Sequence, residues 1–440
     1  MRSPTVRPLR LALVCDWYPP RVGGIETHVR ALAEQLAAAG HRVDVLTTAG
    51  GCREDGAAPA APGEEAVGHG AAGQVRVRRL ALPCFPHFRI AVAVPHTYAV
   101  VRRALRDGGY DLVHAHASVV SPLAFCAAAA ASRLGMAAVL THHSMLGGAA
   151  GLLAFADRLI GWTRWRVVHT AVSPLVADDV RAAAARARRP RALAVGVLPN
   201  GIHPEAWAAA GPPPAAVAGG AREFRVASVM RLSQRKRPLA LLDVVDRVRA
   251  ALPPGVRLRV RVAGDGPERA AVEREVARRG LGATVELLGF CPREAVRALF
   301  AESDAFVLPS ILESFGIAAL EARCAGLPVV ALRAAGPASF IRHEVEGLLG
   351  DDDADLARQL VRLATDERLR AGIARHNRRT RPAETWSAVL ARHTAAYADA
   401  RRLARGLALH GGPALDPPAV ARAVGLRVGP RAGATAGQQR

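Results

Sequence analysis

Apolar residues fall along the chain in short runs separated by amphipathic stretches, and the alternation is regular. Leu9 to Cys15 is the first run. The turn Tyr18-Pro19-Pro20-Arg21-Val22-Gly23-Gly24 follows, after which Ile25, Val29, Leu32 and Leu36 keep helical spacing as far as Gly40. Val43–Thr47 reads as a second strand, and the Gly/Ala/Pro stretch from Gly50 to Gly73 as a mobile surface insertion. Further runs at Val75–Leu80, Leu112–Ala115, Val139–Thr141, Val168–Val172 and Leu193–Leu198 alternate with helical segments. This is the pattern of a parallel, doubly wound α/β sheet.

Ala208 to Ala221, with Gly211-Pro212-Pro213-Pro214 and Gly219-Gly220, cannot hold regular structure and reads as a linker over 208–221. A second series then begins. Strands are expected at Arg225–Met230, Leu258–Ala263, Val285–Leu288, Ala305–Leu308 and Val329–Leu332, with helices near Leu239–Ala251, Glu268–Arg279, Glu294–Ala301 and Gly316–Cys324. The expectation is two Rossmann-like domains, 1–207 and 222–382, facing across a cleft. One more helix over 383–406 and a basic, disordered tail over 407–440 complete the chain.

Composition agrees with two cores. The 440 residues exceed the size at which one core stops growing, and the chain is 50% hydrophobic. Lys+Arg number 59 against 38 Asp+Glu, a formal charge of +21. From Arg375 to the end, 12 Arg face Glu384, Asp399 and Asp416, so this segment alone carries +9. Such a field attracts phosphates, anionic lipid or nucleic acid. The six cysteines show no CxxC pair, and no His cluster at ligand spacing is readable, which fits a reducing, cytoplasmic setting without a disulfide or zinc framework. The apolar run before Asp16 is too short for a signal segment, and the stretch Leu123–Ala131 is far from the roughly 20 residues of a membrane span, so any membrane contact is expected to be peripheral.

Candidate chemistry gathers in the second half. Glu313-Ser314-Phe315-Gly316-Ile317-Ala318-Ala319-Leu320-Glu321 follows a strand and opens a helix, setting one carboxylate at the helix entrance and another further in. N–H groups near Gly316 and Ile317 offer an anion site there. A phosphorylated sugar suits that arrangement; the alternative is a solvated helix with two incidental glutamates. Arg231-Leu232-Ser233-Gln234-Arg235-Lys236 follows the strand that opens the second half, where doubly wound folds bind ligands. Lys236 is the only lysine among the 59 basic side chains. A compact ammonium acts on phosphate as a point charge, which the planar Arg fork does not reproduce.

Together with Gly264-Asp265-Gly266-Pro267, Gly289-Phe290, Pro199-Asn200-Gly201 and Gly23-Gly24-Ile25-Glu26, these motifs resemble the retaining family-four glycosyltransferases over roughly Leu9 to Ala400. The resemblance implies a GT-B fold and a hexosyltransferase-type, metal-independent enzyme, with a nucleotide diphosphate sugar bound in the C-terminal domain, an acceptor on the N-terminal side, and no cofactor. It implies that Arg231 and Lys236 neutralise the diphosphate, Glu321 binds the ribose, Glu313 holds the donor sugar, and the backbone at Phe315, Gly316 and Ile317 contacts sugar and phosphate. Gly264, Gly266 and Phe290 would line the nucleotide pocket. Gly23 and Gly24 would let backbone approach the donor phosphates or the acceptor, or else form only a tight turn. His116 in His114-Ala115-His116 resembles the family's cleft histidine; the other reading is a buried histidine satisfied by backbone. In such enzymes the departing phosphate oxygen takes the acceptor's proton on the same face. Thr141-His142-His143-Ser144-Met145-Leu146-Gly147 and Asp16-Trp17-Tyr18-Pro19-Pro20 resemble the branch that starts glycosylphosphatidylinositol assembly, which implies a phospholipid acceptor; the basic balance points the same way, to a lipid-linked or phospholipid acceptor, with the basic C-terminal segment expected to meet an anionic membrane face. A soluble acceptor, such as an inositol phosphate, a sugar phosphate or a secondary metabolite, is the alternative.

Other strings are read as decoys. Asp351-Asp352-Asp353 lies in a loop before a helix and is expected to cap it rather than bind metal. Gly264-Asp265-Gly266 lacks the further glycine of a dinucleotide site, since Arg269 stands there. Adjacent His142 and His143 point to opposite faces of a strand, with no third ligand evident. Many relatives carry an acidic residue where this chain has Gly336-Pro337-Ala338. Nucleic-acid binding would explain the charge but not the two cleft glutamates, and 4% aromatics is too few for stacking platforms. A membrane scaffold with a dead site is opposed by the intact Arg231, Lys236, Glu313 and Glu321.

Overall fold

Leu11, Ala12, Leu13 and Val14 are wholly buried. A strand covered by helices on both faces has no polar side to show, and the first sheet is built around this one. The computed structural model describes residues 8–20, 23–48, 63–68, 74–82, 95–147, 150–187, 192–208 and 222–406. The expected linker beyond residue 208 and the expected tail over 407–440 lie outside them.

The first half runs β1 (Arg10–Cys15), α1 (Gly24–Ala38), β2 (Arg42–Thr48), β3 (Gly63–Gly68), β4 (Gln74–Leu80), α2 (Pro95–Asp107), β5 (Leu112–Ala117), α3 (Pro122–Arg133), β6 (Ala138–His142), α4 (Ala150–Ile160), β7 (Val168–Ala171), α5 (Pro174–Ala185) and β8 (Val195–Val197). The sheet order is β3-β4-β2-β1-β5-β6-β7-β8. All neighbours are parallel except β3, which runs antiparallel to β4. The insertion expected over Gly50–Gly73 therefore contains a strand. An edge strand is recruited by the unpaired backbone of its neighbour, so it needs no alternating side chains and leaves no signal in the pattern.

The second half runs β9 (Arg222–Val229), α6 (Pro238–Ala251), β10 (Val256–Ala263), α7 (Arg269–Arg278), β11 (Val285–Gly289), α8 (Arg293–Ala301), β12 (Ala305–Leu308), α9 (Ile317–Cys324), β13 (Val329–Leu332), β14 (Gly347–Gly350), α10 (Asp353–Thr365), α11 (Glu367–Arg379) and α12 (Trp386–Ala404). Its sheet, β11-β10-β9-β12-β13-β14, is parallel throughout. The two doubly wound sheets expected from the alternation are present. In each, the chain leaves its first strand for neighbours on opposite sides: β1 between β2 and β5, β9 between β10 and β12. That divergence opens a crevice at the strands' C-terminal ends, where such sheets bind ligands.

The last helix belongs structurally to the first half. Trp386, Val389, Ala396 and Tyr397 of α12 are buried in the core that holds Leu11, Leu13, Val29 and Leu32. A backbone bridge fixes the crossing, with Ile202 N–H donating to Glu384 O at 2.9 Å and Trp386 N–H to Ile202 O at 3.0 Å. No helix among the described residues is long and apolar enough to cross a membrane.

Trp386 is 5% exposed and stacks on His28. Trp386→Ala is expected to cost about 3–5 kcal/mol of first-domain stability. Amide exchange checks this: protection of α12 and β5–β7 should fall together, and a variant with wild-type protection would show that α12 only decorates the sheet.

Candidate active site

The loop after β9 lies against the loop after β12. A single turn of 3-10 helix over Gln234–Lys236 presents the only lysine, whose Nζ donates to Glu313 Oε2 at 2.5 Å. Ser310 Oγ donates to Lys236 O at 3.3 Å, and Arg235 Nε to Leu312 O at 3.2 Å. Arg237 finishes the clamp. It sits at φ 57°, a region costly for a side chain with a Cβ, and its guanidinium reaches Pro309 O at 2.9 Å and both Asp353 oxygens at 2.9 and 2.6 Å. Arg231, exposed on the same loop, shares this edge. Asp352 caps α10 by accepting from Asp355 N–H at 2.7 Å, so the acidic string splits into a helix cap and a partner for Arg237.

Glu313 precedes α9 by four residues, so loop hydrogen bonds rather than helical spacing place it; Gly336 N–H donates to its carbonyl at 2.7 Å. Gly316 takes φ 90° as the N-cap of α9, where a Cβ would stand 2.7 Å from Pro337. A Cβ on Gly336 would meet Phe315 N at 2.5 Å. Gly336-Pro337-Ala338 thus braces the helix start, in place of the acidic contact expected in relatives. The first helical bond, from Leu320 N–H to Gly316 O at 3.1 Å, leaves the N–H groups of Ile317, Ala318 and Ala319 ahead of it without an intrahelical partner. Burial pushes the Glu321 carboxyl up to about 8, with Arg293 pulling the other way.

Gly264 and Gly266 lie beneath the Arg231 loop. Their φ values are 136° and 158°, and Cβ atoms there would come within 1.8 Å of Met230 O and 2.4 Å of Leu232 O. Leu232 N–H donates to Asp265 O at 2.9 Å and Gly264 N–H to Gly289 O at 2.7 Å. These glycines thus have a packing reason of their own. Phe290, after β11, is 69% exposed at the same edge. Arg231, Lys236, Glu313, Phe315, Gly316, Ile317, Glu321, Gly264, Gly266 and Phe290 therefore all belong to the C-terminal edge of the second sheet. Sequence reasoning passed over Arg237 and Arg293, read Asp353 only as part of a helix cap and gave Ser314 no role of its own; an Arg between Lys236 and Pro238 was the available signal for the first.

Comparison with known proteins matches residues 22–206 to the family described as Glycosyltransferase Family 4 and residues 219–380 to Glycosyl transferases group 1. A D-inositol 3-phosphate glycosyltransferase of Saccharomonospora viridis is 30% identical over 83% of this chain and 86% of its own. The chain belongs to the family 4 glycosyltransferases. A phosphatidylinositol N-acetylglucosaminyltransferase subunit from Arabidopsis thaliana is 28% identical over 80% of this chain and 73% of its own. Among solved structures, Anabaena HepE with UDP and glucose overlays with TM-score 0.60 at 22% identity, covering 84% of this chain and 94% of that one. Sucrose-phosphate synthase of Thermosynechococcus elongatus overlays at 0.64 and 20% identity, covering 89% and 98%. The fold is GT-B.

In the N-terminal half of this glycosyltransferase, Gly23 is the N-cap of α1 in extended conformation, and Gly24 has open space where a Cβ would stand. Asp16 follows β1, accepts from Leu123 and Ala124 N–H at the start of α3 at 3.0 and 3.2 Å, and is pushed up to about 7 by burial. His116 ends β5 but lies under the cleft floor, 1% exposed. Its Nδ1 is 3.0 Å from His143 Nε2, while its Nε2 has no hydrogen-bond partner. His28 joins these two, and one ring nitrogen from each lies within 4.8 Å of the others, the one group among the described residues that could hold a metal ion. His143 thus gains the companions that sequence spacing did not reveal, because 28, 116 and 143 come from α1, β5 and the end of β6. His142 faces the other way and stacks on His169, as strand alternation requires. The halves meet nearby, where Met145 N–H donates to Ser314 Oγ at 3.0 Å.

Burial holds these rings neutral. His142 and His143 are lowered to about 3, His169 and His393 to about 4. In the unfolded chain each takes a proton near 6.5, so below that pH the unfolded state binds more protons and stability falls, each ring contributing up to about 1.4 kcal/mol per pH unit down to about pH 4. The unfolding midpoint should decline steadily from pH 7 to 4.5, and His143→Gln should flatten the decline. A midpoint independent of pH over this window would contradict the buried, neutral assignment.

Proposed function

We propose that this glycosyltransferase moves a sugar, with retention at the anomeric carbon, from a nucleoside diphosphate sugar to a phospholipid or other lipid-linked acceptor. The observation that carries the reading is the Lys236–Glu313 pair set beside the open N–H groups of α9, with Glu321 further along the same helix. Lys236 and Arg231 balance the diphosphate, and as the anomeric bond breaks they and the helix start stabilise the growing negative charge more in the transition state than before it. Glu313 holds the donor sugar beside that charge. Glu321 accepts from the ribose hydroxyls, Phe290 offers a face to the base, and Gly24, which no internal contact requires to be glycine, lets backbone approach from the other half. The departing phosphate oxygen takes the acceptor's proton on the same face. The charge balance comes from side chains and backbone, so this chemistry needs no divalent cation.

The acceptor assignment is supported by the relative named for phosphatidylinositol. The relative named for D-inositol 3-phosphate favours a second reading, a soluble inositol phosphate. The two are separated by following nucleoside diphosphate release over several nucleotide sugars with phosphatidylinositol vesicles or an inositol phosphate as acceptor. Turnover only on the soluble compound selects the second reading; no stimulation by either rejects both.

The same assay tests the lysine. Lys236→Arg keeps the charge but not the compact ammonium, so turnover should fall roughly a hundred- to a thousandfold, nearly as far as in Lys236→Ala. The unfolding midpoint of Lys236→Arg should stay near wild type. Near-normal turnover would leave Arg231 as the only phosphate cation of this loop.

Glu321 gives a pH signature. Its carboxyl, near 8 in the empty site, must lose its proton to accept fully from ribose, so kcat/KM for the donor should rise as pH climbs through about 8. Glu321→Gln should raise KM and erase that inflection, whereas Glu313→Gln should mainly lower kcat. An unchanged inflection in Glu321→Gln would assign it to another group.

A further inference from the structure

Helix α4 is apolar on both sides. Ala150, Leu153, Ala154 and Asp157 face the core, as three- and four-residue spacing requires, yet Leu152 is 62% exposed, Phe155 52%, Leu159 77% and Ile160 44%. A surface helix normally carries polar residues there. Exposed charge along this segment has one sign: Arg158, Arg164 and Arg166 are exposed, while the one acid between residues 150 and 166, Asp157, is buried and accepts from Thr163 N–H and Oγ1, both at 2.9 Å. Arg158 lies over the Phe155 ring at 5.7 Å, and Trp165 follows, half-buried, donating from its indole to Ile160 O at 3.1 Å. Apolar side chains flanked by arginines and a tryptophan, with no exposed acid, suit the boundary between anionic headgroups and acyl chains.

The stripe is also placed for use. The segment leading towards α4 is the one whose Met145 donates to Ser314, and a Cβ on Gly147 would lie 3.6 Å from Leu312. Ile311 and Leu312, 44% and 40% exposed, extend apolar surface onto the loop that carries Glu313. We propose that the exposed face of α4 docks this enzyme on an anionic lipid leaflet, with the cleft mouth held at headgroup level. The occupant is a membrane rather than a protein because the exposed charges of α4 and the turn after it are all arginines, and the exposed acid of the neighbouring α5, Asp178, is already paired with Arg181. The surface stands on its own geometry, so it survives even if the acceptor is soluble.

The experiment uses the full chain and vesicles of phosphatidylcholine with or without phosphatidylserine. Wild type should sediment with the anionic vesicles, and L152S/F155S/L159S should bind at least about tenfold more weakly for each anchor removed, given the transfer free energy of an apolar side chain. Turnover on a soluble acceptor should not change, which separates this result from failure of the lipid-acceptor reading. Hydrogen exchange of the unaltered chain gives an independent measure, with amides between 150 and 166 gaining protection on vesicles. Equal sedimentation of variant and wild type overturns the proposal, as does binding lost on deleting 411–440 with α4 intact. A wild-type dimer that the triple variant converts to monomer, with vesicle binding unchanged, also overturns it and makes the stripe a protein interface.

Discussion

The second domain turns on two charges withdrawn from water together. Lys236 and Glu313 keep only 29% and 12% of their side-chain surface exposed and stand 2.5 Å apart, joining loops from neighbouring strands. Each would carry a desolvation penalty alone, and removing one leaves the other uncompensated, so the two loops hold one geometry or lose both charges' partners. The surroundings serve that constraint. Arg237 ties the first loop to Asp353, Gly336 and Pro337 brace the second, and Gly264 and Gly266 let the backbone at Met230 and Leu232 sit low enough for the loops to meet. On the proposed function, a donor diphosphate would meet a cation already in position, leaving little reorganisation for the reacting step.

The first domain treats its polar residues in the opposite way. Five histidines, His28, His114, His116, His143 and His393, are packed ring against ring beneath the cleft and kept neutral by burial. His114 reaches Tyr397 of α12 and Thr141 of β6. Their network links the last helix to the floor of the first sheet, and through His143 it comes within two residues of the backbone contact at Ser314. Four acids, Asp16, Glu26, Asp44 and Asp157, are buried in this half as well, while no arginine among its described residues is. Neutral rings thus lie beneath one side of the cleft and a paired lysine and glutamate on the other.

The chain's positive surplus gives the α4 stripe its meaning. An apolar face alone invites any hydrophobic partner; flanked by Arg158, Arg164 and Arg166, with no exposed acid between residues 150 and 166, it favours an anionic surface. Because Met145 and Gly147, between β6 and α4, also touch the loop that carries Glu313, the proposed attachment and the proposed chemistry would share one stretch of backbone. A lipid-linked acceptor would then reach the cleft without leaving the leaflet.

The sequence by itself determined the two doubly wound sheets, since strands buried on both faces must be continuously apolar, as Leu11–Val14 and Ala305–Leu308 are. It also determined the edge where chemistry gathers, because the lone lysine, Glu313, Glu321 and the glycines all follow strands or open helices. What it could not carry were contacts between residues distant in the chain. The pairing of Lys236 with Glu313, the Arg237–Asp353 clamp, the convergence of His28, His116 and His143, and the return of α12 to the first sheet join residues from 27 to hundreds of positions apart. Edge strand β3 was hidden for a related reason, since it exists by backbone pairing and not by side-chain pattern. Periodicity records which face of an element is buried. Which neighbour buries it, and which charges meet as a result, is fixed only when the sheets close over their cores.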